Sequence, residues 1–152
     1  MSRAERAKEY FLQGYACSQA VALAFSDITG VAEKLISKIM LPFGGGVGRL
    51  RLTCGAVSGM AAVVGMIFAS PENTSENKKQ TYAIVQELCG KFKAKTGSLI
   101  CAELLSGMKV PVEVGGNAEP RTAEYYRKRS CGDMVALATQ IIEEYLQEKG
   151  MI

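Results

Sequence analysis

Apolar residues recur at helical spacing along almost the whole chain, whereas the alternation typical of a half-buried strand is nearly absent. This pattern predicts an all-α protein. The chain has 152 residues, of which 48% are hydrophobic and 22% charged. It is therefore long enough to bury one substantial core and too apolar to be disordered. No repeat, low-complexity tract or linker divides it, so we expect a single-domain multi-helix bundle over residues 1–152.

Capping residues, glycines and prolines predict where the helices begin and end. Ser2, with Glu5 three residues later, has the pattern of a capping box at the start of the first helix. Gly14, Gly30 and Gly97 are typical helix stops, and Pro42 ends another helix. The predicted helices cover residues 2–12, 17–29, 32–40, 54–69, 75–88, 99–105 and 130–148. An irregular segment over 106–120 is either a flap over a site or an ordinary surface loop.

The helix predicted at 54–69 is the central element of the expected bundle. Residues 52–71 carry no charge, but the apolar part is too short for a membrane span and contains Gly59 and Gly65. We therefore expect a buried, small-residue-rich core helix and no membrane span. Small residues on a helix allow close approach of another backbone, so a homodimer is compatible with this pattern.

The absence of histidine excludes several chemistries. Without it there is no Ser-His-Asp or Cys-His pair, no mixed Cys/His zinc site and no His-ligated haem. The net charge of +3 has no basic block, which argues against nucleic acid as a partner. The charged residues after Met1 precede no apolar signal core, and we therefore expect a cytoplasmic protein.

Four of the five cysteines fall within the first turn of a predicted helix, where free amides and the helix dipole stabilise a thiolate. These four are Cys17, Cys54, Cys101 and Cys131. Cys89 lies on an apolar stripe near a predicted helix end and is the exception. The basic residues at 127–129 precede Cys131 and are expected to lower its pKa.

The roles of these thiols stay open at this level. No C-x-x-C occurs, so neither a thioredoxin-type pair nor a zinc ribbon is indicated. If the four helix starts meet, the thiols would bind zinc or an iron–sulfur cluster, or form two disulfides in one of three pairings. Alternatively they fill the core, since Cys17 and Cys131 continue the apolar stripes of their helices.

The glycine loop, Gly44–Gly48, is followed by Arg49 and cannot be helical. Its amides could form an anion-binding concavity, or the loop could simply let two helices meet, or it could lie against Cys54 and stabilise the thiolate there. It has no preceding strand and the wrong spacing for a nucleotide fingerprint. The candidate ligand-binding residues are Gly44, Gly45, Gly46, Arg49 and Gly55.

The segment Cys54–Gly59 reads Cys-Gly-Ala-Val-Ser-Gly, and Cys17, Cys101 and Cys131 lie around it in order. This arrangement resembles the C_GCAxxG_C_C family of small redox-active proteins. The resemblance implies that these four cysteines are the defining residues, and it leaves out Cys89. Some members occur beside cytochrome-type domains, but this chain has no C-x-x-C-H and therefore no attachment site for c-type haem.

Three hypotheses follow. The leading one is a cytoplasmic redox protein, a thiol-based oxidoreductase if it is an enzyme, whose catalytic cysteines serve an unknown redox partner or small molecule. In it Cys54 is the most exposed nucleophile, acting with Cys17, Cys101 and Cys131. The second is a module without turnover that binds zinc or an iron–sulfur cluster through the same four ligands. The third is a helical interaction protein with structural cysteines.

Overall fold

The computed structural model describes all 152 residues and contains nine regular α-helices and no strand, as the periodicity predicts; a tenth short turn, Gly44–Val47, has left-handed φ at Gly45 and Gly46 and is not a regular helix. The helices are α1 Arg3–Leu12, α2 Cys17–Leu23, α3 Ser26–Thr29, α4 Glu33–Met40, α5 Gly55–Phe68, α6 Ser75–Thr96, α7 Cys101–Gly107, α8 Ala123–Lys128 and α9 Cys131–Glu148. A 3-10 turn over Leu41–Phe43 follows α4.

Several helix ends lie where the capping residues predict. The Ser2 hydroxyl accepts a hydrogen bond from the Glu5 amide at 3.1 Å, and the Glu5 carboxylate accepts one from the Ser2 amide at 2.6 Å. These two bonds form a complete capping box at the start of α1. Helix α6 ends at Gly97, whose φ of +91° favours glycine.

The helix predicted over residues 17–29 is instead divided into α2 and α3. The break lies at Phe25, whose φ of −113° and ψ of 12° are not helical. The chain bends beside Arg3. The Arg3 guanidinium donates a hydrogen bond to the Ala24 carbonyl oxygen at 2.6 Å and lies over the buried Phe25 ring.

Two other helices differ from the prediction. Helix α6 continues through Gly90 to Thr96, and α8 forms where no separate helix was predicted.

Helix α5 lies at the centre of the molecule, packed against α2, α6 and α9. Its buried side chains belong to one continuous apolar core that includes α1 and α4. The small-residue face that suggested a homodimer is occupied within the chain, since a β-carbon on Gly59 would lie 2.8 Å from the Ser18 carbonyl oxygen. None of the helices has the length and apolarity needed to cross a membrane.

Candidate functional site

The four cysteines at helix starts line one cavity of about 290 Å³, which we call the thiol cavity. Cys17, Cys101 and Cys131 are the first residues of α2, α7 and α9, and Cys54 is the N-cap of α5. The predicted helix-start placement is therefore correct for all four. Cys89 lies within α6 and is not part of the cavity.

Close packing of α2 against α5 brings Cys17 to Cys54. A β-carbon on Gly55 would lie 3.1 Å from the Cys17 β-carbon and 3.2 Å from the Ser18 amide nitrogen. A larger residue at position 55 would therefore push the two helix starts apart. Gly65 has open space around it, so this requirement applies to the first turns of α5 and not to its far end.

A backbone bridge holds the starts of α5 and α7 side by side. Thr53 and Ile100 form an isolated antiparallel bridge. The Cys54 amide donates to the Leu99 carbonyl at 2.8 Å, and the Cys101 amide donates to the Leu52 carbonyl at 2.6 Å. The two cysteines are thus positioned by hydrogen bonds of their own main chain.

The glycine loop forms another wall of the cavity. Gly45, Gly46, Val47, Gly48 and Arg49 all have φ between +58° and +72°. This left-handed run is strained at Val47, whose branched side chain disfavours it. A β-carbon on Gly46 would lie 2.6 Å from the Cys101 β-carbon. The loop thus packs against Cys101 because it has no side chain there.

The alternative in which the loop amides stabilise the Cys54 thiolate is not the arrangement found. The closest approach of Gly46 is to Cys101, and amides at the end of the loop and just after it donate to main-chain carbonyls. Gly48 donates to Pro42 at 2.7 Å, and the amides of residues 49, 50 and 51 donate to carbonyls at positions 44, 47 and 45. The Cys54 thiol is instead stabilised by the amides of Ala56 and Val57, in the first turn of its own helix.

The irregular segment 108–122, which we call the strap, covers one side of the cavity. The Arg51 Nε donates to the Glu113 carbonyl at 2.9 Å, and the Gly115 amide donates to the Arg49 carbonyl at 2.9 Å. Met108, Gly116 and Ala118 contribute to the cavity wall. The irregular segment predicted over 106–120, a flap or an ordinary surface loop, thus lies mostly within the strap, which is tied to the two arginines that follow the glycine loop.

Four arginines and a single carboxylate line the same cavity: Arg49, Arg51, Arg121, Arg129 and Glu119. Arg51 reaches a thiol directly, with its Nη1 3.8 Å from the Cys101 sulfur. Arg121 and Arg129 lie over the Tyr125 ring at 5.0 and 4.6 Å, which fixes both guanidinium groups beside Cys131. The walls around the thiols are therefore strongly positive.

This environment favours a thiolate on Cys131. Its pKa is lowered by a hydrogen bond from the Cys17 thiol and then by the charges of Arg129, Arg121 and Arg51, against the opposing effect of burial. The pKa of Cys17 is raised well above its usual value, first by that same bond and then by burial. Cys131 is therefore the more acidic thiol of the pair.

The other two thiols are less acidic. Burial raises the pKa of Cys54 to about 12, and this side chain is 6% exposed, less than any other cysteine. The expectation that Cys54 is the most exposed nucleophile is therefore wrong. Burial also raises the pKa of Cys101, although Arg51 counteracts it. Helix-start placement predicts stabilising amides, but it does not reveal how deeply α5 is buried.

The candidate ligand-binding residues all contribute to the cavity wall, namely Gly44, Gly45, Gly46, Arg49 and Gly55. No three Cys, Asp or Glu side chains lie close enough together to hold a metal ion in this arrangement. Sequence reasoning missed Arg121 as part of the site, since an arginine after Pro120 in an irregular segment carries no local signal. It did anticipate the effect of the basic residues before Cys131, of which Arg129 faces the cavity and Arg127 is exposed.

Fold and site together define an all-α protein with four thiols gathered at one arginine-lined cavity. A family model described as "Putative redox-active protein (C_GCAxxG_C_C)" matches residues 15–145. The match covers most of the chain, and the protein belongs to this redox-active family. No curated protein and no solved structure matches the chain.

Proposed function

We propose that the protein is a thiol–disulfide oxidoreductase in which Cys131 is the attacking thiolate and Cys17 is the resolving thiol. The observation that supports this most directly is the position of the two thiols in one arginine-lined cavity, where the pKa of Cys131 is lowered and that of Cys17 is raised. A nucleophile must be a thiolate, and its partner must be within reach of it. Among the cavity thiols, Cys131 is the one whose environment favours the thiolate, and Cys17 is the thiol that interacts with it most strongly.

The reaction proceeds in two exchanges. The Cys131 thiolate attacks one sulfur of a substrate disulfide, the S–S bond breaks, and the departing sulfur leaves as a thiolate that takes up a proton. Cys17 then loses its proton and attacks the Cys131 sulfur, which forms the Cys17–Cys131 disulfide and releases the second substrate thiol. The substrate disulfide is reduced by two electrons, and the protein dithiol is oxidised by two.

Cys101 and Cys54 have supporting roles in this proposal. Cys101 lies next to Arg51 and lines the cavity, so it can exchange with the Cys17–Cys131 disulfide. Cys54 is the least exposed thiol, and it remains protonated at neutral pH. We place the protein in the cytoplasm, where the thiol pool returns such a disulfide to the reduced form.

The uncharged disulfide of 2-mercaptoethanol tests the assignment. Reduced wild-type protein should release two thiols per molecule and acquire a Cys17–Cys131 disulfide. The Cys17→Ser variant should stop at a mixed disulfide between Cys131 and the reagent, visible as an adduct by mass spectrometry. The Cys131→Ser variant should not react with the reagent disulfide. Cys89→Ser is the matched control and should behave as wild type. Normal turnover by Cys131→Ser, or an adduct on another cysteine, would contradict the proposal.

The convergence of four thiols on one cavity also supports a second candidate, a metal or iron–sulfur module with Cys17, Cys54, Cys101 and Cys131 as ligands. The present side-chain arrangement does not fit it, because no three of these groups lie close enough together. The helix starts would have to move inwards. Anaerobic purification followed by metal analysis and a visible spectrum is the test, and a colourless, metal-free protein contradicts this candidate.

A further inference from the structure

The thiol cavity has more positive charge in its wall than its carboxylate can neutralise. Glu119 pairs with Arg129 at 2.7 Å and lies 3.6 Å from Arg49, which also pairs with Glu113 of the strap at 3.2 Å. Arg51 and Arg121 also line the cavity, and neither forms a salt bridge. The thiolate of Cys131 offsets one charge at most, so the wall retains excess positive charge.

The partners of Arg51 and Arg121 are neutral groups. Arg51 donates to the Glu113 carbonyl and to the Cys101 sulfur, and it is 7% exposed. Arg121 donates to the Phe11 and Tyr15 carbonyls at 3.1 and 3.2 Å. These contacts hold each guanidinium group in place without neutralising it. A fixed, poorly hydrated guanidinium group binds oxyanions strongly.

Arg49 adds an independent observation. Its side chain is 11% exposed, and its Nε is buried without any hydrogen-bond partner. A buried, unpaired donor on a charged group is costly, and such groups are usually satisfied by a ligand or by water. The donor belongs to a residue that lines the thiol cavity. The cavity wall therefore has excess positive charge, and one of its arginines has an unused hydrogen-bond donor.

We propose that the thiol cavity binds the oxyanion group of a small substrate, and that the disulfides this protein reduces are low-molecular-weight disulfides bearing carboxylates. This inference rests on the proposed function and adds the substrate class to it. A carboxylate held by the arginines would place the neighbouring S–S bond at Cys131, on the same cavity wall. The exchange then follows the two steps given above and yields two carboxylate-bearing thiols.

Three disulfides of similar length test the charge preference. They are 3,3′-dithiodipropionate, which is a dianion, the neutral disulfide of 2-mercaptoethanol, and cystamine, which is a dication. We expect oxidation of the Cys17–Cys131 pair to be at least about tenfold faster with the dianion than with cystamine, after correction for the intrinsic reactivity of each reagent with a free thiol. The difference should shrink as salt is added. Equal corrected rates, or faster reaction with cystamine, would overturn the proposal.

Arginine variants show whether the preference for the anionic disulfide comes from the cavity arginines. Arg51→Met removes a charge from the cavity, whereas Arg127→Met removes one from the exposed face of α8. We expect Arg51→Met to lose most of the preference for the dianion and Arg127→Met to keep it. Thermal unfolding of both variants establishes whether each is folded. If Arg51→Met does not fold, Arg49→Met provides a second cavity variant. An unchanged preference in a folded cavity variant contradicts the proposal.

A ligand without sulfur separates this inference from the proposed function. Octanedioate has the chain length of 3,3′-dithiodipropionate but cannot undergo exchange, so its binding reports only on the cavity. Calorimetry should detect binding to wild-type protein and its loss in Arg51→Met, with 1,6-diaminohexane as the cationic control. If octanedioate binds but no disulfide reacts, the proposed function fails and the anion site stands. If disulfides react without charge preference and octanedioate does not bind, the anion site fails alone.

Discussion

Cys17 and Cys131, the first residues of α2 and α9, line the same cavity, and their interaction raises the pKa of the Cys17 thiol and lowers that of the Cys131 thiol. The pair brings together elements from opposite ends of the chain. Cys131 is the more acidic of the two thiols, because arginines also stabilise negative charge on it. The chemical asymmetry of the site depends on this contact.

The order in which the thiols react follows from their environments. With limiting iodoacetamide at pH 7, Cys131 should be alkylated first, because its pKa is lowered. Cys54 should be alkylated last, since its pKa is about 12 and it is buried. Peptide mapping by mass spectrometry gives the order, with Cys89 as an internal reference outside the cavity. Uniform labelling, or labelling of Cys54 before Cys131, would contradict the account.

Substitution of Cys17 separates hydrogen bonding from resolving chemistry. Cys17→Ala removes the donor, so the pKa of Cys131 should rise by about one unit or more, a free-energy change typical of a hydrogen bond to a charged group. Cys17→Ser keeps a donor and should shift the pKa less, although it cannot form a disulfide. The midpoint of the pH–rate profile for alkylation of Cys131 measures both. Identical midpoints in Cys17→Ala and wild type would show that the bond has no such effect.

Alkaline pH should destabilise the fold through Cys54. Its pKa is raised to about 12 in the folded state, whereas an unfolded thiol ionises at about 8.5. Between these values the folded chain holds a proton that the unfolded chain has lost, so the free energy of unfolding falls as pH rises, by up to about 1.4 kcal/mol per pH unit. Cys54→Ala should show a shallower decline than wild type in urea unfolding at pH 8 to 10. Parallel curves would rule out this coupling.

Gly46 and Gly90 together test whether the glycine loop needs residues without a side chain. Gly46→Ala forces a side chain onto a residue with φ of +72° and 2.6 Å from the Cys101 β-carbon, so we expect a loss of stability of more than about 1 kcal/mol. Gly90→Ala occurs in helix α6 with open space around it, and should gain about 0.5–1 kcal/mol. Thermal unfolding compares the two. A Gly46→Ala protein as stable as wild type would contradict the packing described here.

Periodicity and capping residues were sufficient to predict the all-α class and the position of each cavity cysteine at a helix start. Both depend on local rules, namely the spacing of apolar residues and the residues that begin and end a helix. The division of α2 from α3 was not predictable in this way. It depends on a hydrogen bond to the Ala24 carbonyl from Arg3, which belongs to another helix.

The chemical roles within the site also depend on tertiary contacts. Cys54 has the best local setting for an activated thiol, yet burial by the surrounding helices makes it the least accessible. The pKa of Cys131 is lowered by Cys17, which comes from a distant part of the chain, as well as by Arg129, which is near it in sequence, and by Arg121. Spacing along the sequence gives no information on either contact, and it therefore left the pairing of the thiols open.

The identity of the first disulfide to form tests the central claim most directly. Reduced protein should be treated with one equivalent of a two-electron thiol oxidant, blocked at acid pH and mapped without reduction. The account predicts that Cys17 and Cys131 form the dominant disulfide while Cys54 and Cys89 remain free thiols. A first disulfide that includes Cys54, or a mixture of pairings without preference for Cys17–Cys131, would contradict it.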